Sequence, residues 1–106
     1  MDSPLSKDAR VNLKAISEAA QSHFSRTHEA REKGLRLSRE LIRNSANSIR
    51  ATHRGHFEQA RDLRDKASGL VQDMEDALGA YPAVYYAGFV EDAHKEYVEA
   101  STTLAF

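Results

Sequence analysis

The chain has 106 residues, with 15 lysines and arginines against 16 aspartates and glutamates, and no cysteine. That length suits one domain, and the missing cysteines exclude disulfides, thiolate metal sites and cysteine nucleophiles. No apolar run approaches the ~20 residues of a membrane span, and Met1-Asp2-Ser3-Pro4 lacks the basic-then-apolar order of a signal peptide. A protein of the cytoplasm with no membrane partner is the expectation.

The near-neutral total hides an uneven distribution. Between Arg31 and Lys66 basic residues dominate, including Arg36, Arg39, Arg43, Arg50 and Arg54. From Ala67 onward the acids Asp73, Glu75, Asp76, Glu91, Asp92, Glu96 and Glu99 face a lone Lys95. A basic middle with an acidic end points to a polyanion partner and a separate metal or polar site.

The elements are all helical. Ser3 is placed to cap a first helix with Pro4 in its first turn. Apolar and small residues then recur at helical spacing to about His53: Leu13, Ile16, Ala20, Phe24, Leu37, Leu41, Ser45, Ile49 and Thr52. Such a helix would reach ~75 Å at 1.5 Å per residue. Gly34 marks a bend or a close helix contact. Arg54-Gly55-His56 reads as a turn. A second helix follows with Phe57, Ala60, Leu63, Ala67, Leu70, Val71, Met74 and Leu78 as its inward stripe, ended by a Gly79 C-cap. Tyr81-Pro82 leads to a third helix from about Ala83 through Ala105, with Tyr85, Phe89, Ala93, Tyr97, Ala100 and Leu104 as its apolar side. No alternating run predicts a strand. The fold class is therefore all-α: one bundle over residues 1–106 with a very long first helix and two shorter ones. The uncapped apolar end at Leu104-Ala105-Phe106 predicts a bundle incomplete at its C-terminus.

On a helical wheel, Arg36, Arg39, Arg43, Arg50 and Arg54 fall within ~60° of one another, over ~27 Å of helix. Arginine suits phosphate, because its planar fork donates two hydrogen bonds at once and keeps its charge at cellular pH. The competing reading is a solvated face with some arginines paired to Glu40, Glu58 or Asp62. On the third helix Asp92, Glu96 and Glu99 share one face at i, i+4 and i+7. Stacked carboxylates repel unless a cation or protonation relieves them, and magnesium or manganese suits hard oxygen ligands. One helix rarely completes a metal shell, and solvated surface acids are the plainer alternative. His94 reads as a partly buried polar residue, His53 and His56 as loop packing. There is no zinc motif, nucleophile triad or glycine-rich phosphate loop.

Two segments carry a family resemblance. Leu37-Ser38-Arg39-Glu40-Leu41-Ile42-Arg43 and Ile49-Arg50-Ala51-Thr52-His53-Arg54-Gly55 resemble the first long helix of archaeal translin-like proteins. Tyr85-Tyr86-Ala87-Gly88-Phe89 and Glu96-Tyr97-Val98-Glu99-Ala100 resemble the later segment, and the second string is similar to the active-site helix of translin-associated factor X. The resemblance runs from roughly Leu35 to Ala100 and reaches about the N-terminal half of a seven-helix family fold. It implies a homo-oligomer enclosing single-stranded RNA or DNA, and magnesium-dependent endoribonuclease activity in a complete protein. Glu96 and Glu99 match the paired catalytic glutamates. The family's further acidic ligand lies beyond this chain's span, and Asp92 as a substitute rests on helical spacing alone. A non-catalytic nucleic-acid-binding module and a purely structural oligomerising helix are the alternatives.

Overall fold

The computed structural model describes residues 7–85 and 87–106, and the expected Ser3 cap and Pro4 start lie outside them. Four helices follow in order: α1 Lys7–His53, α2 Phe57–Leu78, α3 Pro82–Tyr85 and α4 Gly88–Ala105. No strand occurs among the described residues, so the all-α expectation holds.

The turn after α1 forms because Gly55 takes a positive φ of 77°. The His56 N–H reaches back to the Ala51 carbonyl at 2.9 Å, and the Gly55 N–H to that of Thr52 at 3.0 Å. This nested pair satisfies the last carbonyls of α1 and reverses the chain without a longer loop. Helix α2 then runs back along α1, and α4 returns beside both.

Only part of α1 is covered. The buried residues of α1 are Ala30, Gly34, Leu37, Ser38, Leu41, Ser45, Ser48 and Ala51. Of these, Ala30, Leu37 and Leu41 form one core with Ala67, Met74 and Leu78 of α2, Val84 of α3, and Val90 and Ala93 of α4. Upstream of Ala30 no other described helix covers α1, and the extents are 80 × 18 × 16 Å. Small side chains set the contact distance. The Ser48 hydroxyl donates to the Ala60 carbonyl at 2.8 Å, a buried bond between α1 and α2. Gly34 is a close contact: a Cβ there would meet Leu78 Cδ1 at 3.0 Å and Phe89 Cε2 at 3.3 Å.

Three expectations need correction. The third helix is not continuous, because Ala87 is extended and separates α3 from α4. In one unbroken helix Val84 and Val90 would point ~120° apart. The break lets both enter the core, where both are buried. Phe57 was expected on the inward stripe of α2 but is exposed, since it starts the helix beyond the end of α1. Gly79 ends α2 in a right-handed conformation (φ −58°, ψ −30°), not the left-handed one. Its N–H bonds the Glu75 carbonyl, so the chain continues turning into Tyr81 and Pro82.

Two glycines of the bundle should respond oppositely to added bulk. Gly34→Val should destabilise by about 1–3 kcal/mol through overpacking against buried Leu78. Gly69→Ala meets nothing within 4 Å, so it should stabilise by roughly 0.5–1 kcal/mol through helix propensity. Urea midpoints at constant m-value measure both.

Candidate nucleic-acid interface

The stripe sits where the wheel placed it. Gly34, Leu41, Ser45 and Ser48 turn into the bundle, so Arg36, Arg39, Arg43, Arg50 and Arg54 face away from it, and all five are exposed. Among the described residues the single ion pair is Arg64 Nε with Asp65 Oδ1 at 3.5 Å. The stripe arginines therefore have no acidic partner within 4.0 Å, and the expected alternative pairing to Glu40, Glu58 or Asp62 is not formed. Arg50 is held instead by a neutral group, its Nη1 donating to Asn47 Oδ1 at 2.7 Å. That bond fixes the guanidinium without cancelling its charge. A cleft of about 150 Å³ opens beside this pair, where α1 meets α2. Asn47, Arg50, Arg54 and Gln59 supply its polar lining. Gln59 was not singled out in the sequence; its signal was only its place one turn beyond the Gly55 reversal.

The carboxylate row is less uniform. Asp92 and Glu99 are exposed, whereas Glu96 is half-buried. Phe89 lies on nearly the same line of α4 as Glu96, and it packs toward α1, with the Arg31 guanidinium 5.7 Å from its ring centroid. Glu96 thus flanks the α1–α4 contact. The fold does not join this row to the arginine stripe, and no carboxylate of the row pairs with a stripe arginine. Among the described residues no three His, Cys, Asp or Glu side chains converge to hold a metal ion. Asp92, Glu96 and Glu99 share a face, yet as a magnesium or manganese site they are not a complete donor set from this chain. No chemical step through a metal follows from their geometry.

Tyr97, in the middle of the Glu-Tyr-Val-Glu-Ala string, turns the other way, toward α2. Ser68 chiefly, then Ser101 and Arg64, favour its phenolate and pull its pKa below the usual 10, while burial opposes them. The Ser101 Oγ and Arg64 Nε atoms are shielded from solvent and make no hydrogen bond of full geometry. They act on Tyr97 as oriented dipole and charge. Tyr97 thus docks α4 on α2, a structural role that the motif string did not reveal. His94 is half-buried as expected, with its ring edge-on to Tyr85 at 6.2 Å and its Nε2 shielded and unpartnered.

No described helix is long and apolar enough to cross a membrane.

Ultraviolet titration should show one tyrosine ionising ahead of the usual value near 10. Ser68→Ala should move that step back upward, because it removes the largest favourable influence. The sign for stability follows: a lowered native pKa contributes stability that is present above the unfolded value and lost as pH falls through the native one.

No protein-family model, curated protein or solved structure matches the chain.

Proposed function

We propose that this protein binds single-stranded RNA or DNA along the arginine face of α1. One observation carries the reading: five arginines share one face, all exposed, none paired to an acid within 4.0 Å. A solvated helix face normally interleaves both signs, and here the charge is left for an external polyanion. Asn47 holds Arg50, and Arg54 and Gln59 complete the polar lining of the adjoining notch. α1 carries no aromatic residue on its arginine face, so the contact is chiefly to backbone phosphates. The preference for single strands rests on the likeness of Leu37–Arg43 and Ile49–Gly55 to translin proteins. The same likeness supports assembly into a homo-oligomer.

Cleavage is the narrower part of the proposal. The endoribonuclease reading rests on the likeness of Glu96-Tyr97-Val98-Glu99-Ala100 to translin-associated factor X, with Glu96 and Glu99 on one face of α4. They supply only part of a magnesium shell of oxygen ligands. Hydrolysis belongs to an assembly in which an acidic ligand from outside these residues completes the set.

Fluorescence anisotropy with a labelled single-stranded oligonucleotide over a salt series tests binding. Engagement of the whole stripe gives a slope of log affinity on log salt of about −3.5, from ~0.7 per phosphate contact. Arg43→Gln with Arg50→Gln should flatten the slope by about 1.4. A wild-type slope near zero would remove the proposal. Glu96→Gln with Glu99→Gln should leave affinity unchanged or slightly raised, and should abolish any magnesium-dependent cleavage of the oligonucleotide. Cleavage persisting in that variant would exclude the glutamate assignment.

A further inference from the structure

The longest unexplained surface is the part of α1 that the bundle does not cover. From residue 7 to 29, over ~34 Å, none of the other described helices buries α1. It nevertheless carries an apolar line. Leu13, Ile16 and Phe24 are 52%, 65% and 72% exposed, with Ala9, Ala20 and Thr27 between them. This line continues the buried one. Steps of three and four residues lead from Ala9 through Leu13, Ile16, Ala20, His23 and Thr27 to Ala30, Gly34, Leu37 and Leu41. The alternation is that of a helix built to pack along its whole length against others. Beside Phe24 it forms a shallow groove lined by Ser17, Ala20 and Gln21.

We infer that the occupant is the same stretch of a second copy, laid antiparallel about a twofold axis near residue 18. Two features of the sequence favour that partner and that direction. First, the layers are self-complementary in size. In this register Ile16 falls opposite Ala20 of the other copy, Leu13 opposite His23, and Ala9 opposite Thr27. Each large side chain meets a smaller or flatter one, as close helix packing requires. Second, the flanking positions carry no like-charge conflict. Arg10 falls opposite Phe24, the arrangement that Arg31 and Phe89 already adopt inside the bundle. Asn12 falls opposite Arg26, and Ser17 and Ala19 meet their own counterparts at the axis. A parallel pair would instead set His23 against His23 and Arg26 against Arg31, a repulsive arrangement.

The contact is modest. Two strips ~34 Å long and ~10 Å wide amount to about 700 Å², below the ~1,200 Å² at which stable interfaces begin. The pairing is reversible and concentration-dependent. It does not rest on nucleic-acid binding, because the stripe arginines lie outside residues 7–29, and the test contains no nucleic acid.

Sedimentation velocity of the full chain over a concentration series should show a monomer–dimer equilibrium. Ile16→Glu, which enters the contact twice, should raise the dissociation constant by about 30-fold or more. Val11→Glu, on the opposite side of the same helix, should leave it unchanged. Both variants should keep the urea midpoint of the bundle, since neither residue touches it. The chain has no cysteine, so single cysteines report direction. With a short bis-maleimide, Ser17→Cys should cross-link the pair, whereas Leu13→Cys should not, its counterpart lying ~15 Å away along the axis. A wild-type monomer at concentrations on the order of 500 μM, a dimer indifferent to Ile16→Glu, or cross-linking through Leu13→Cys in preference to Ser17→Cys would each overturn the inference.

Discussion

The close approach of α1 to its neighbours is the constraint on which the other features depend. It requires the absence of bulk on one side of α1: no side chain at Gly34, hydroxymethyl groups at Ser38, Ser45 and Ser48, and a methyl at Ala51. Leu78 and Phe89 can then lie against the α1 backbone at Gly34. The Ser48 hydroxyl can also reach the Ala60 carbonyl directly. A bundle this thin has little apolar volume, so each contact must be short to expel water. Once that face is fixed inward, the phase of the helix is fixed too. The arginines must then emerge on the far side, and Glu96 must sit at the edge of the α1–α4 contact.

The two charged rows are therefore by-products of one packing decision, yet they differ in character. The stripe lies on the exposed back of α1, with Arg50 and Arg54 at the mouth of a cleft toward α2. The carboxylates lie beside a packed seam, where Glu96 is half-buried and the others are open. This asymmetry supports the proposed charge-driven binding more than it supports cleavage.

Much of the fold could be read from residue order. Gly55 after a run of helix formers locates the reversal, and the period of Ala60, Ala67, Met74 and Leu78 locates the inner side of α2. The one-sidedness of the arginines was also legible, because it depends only on 100° per residue. Other features depended on non-local contacts. Nothing in Tyr85-Tyr86-Ala87 forbids helix, and the break there is decided by two valines competing for the same core. Leu13, Ile16, Ala20 and Phe24 have the same period as Leu37 and Leu41, so periodicity could not say which half of α1 would be covered. The role of Tyr97 was hidden because its partners Ser68 and Arg64 lie about thirty residues earlier in the chain.

The uncovered half of α1 has a further consequence for how the molecule opens. A helix of this length is only marginally stable in water without tertiary support, because each residue gains little beyond its backbone bond. Downstream of Ala30 the same helix is locked by the core. One uninterrupted hydrogen-bond ladder thus crosses two regimes of local stability. Its amides should exchange with solvent quickly before Ala30 and slowly after it, although no change of secondary structure marks the border. The cooperative unit of this protein ends in the middle of a helix.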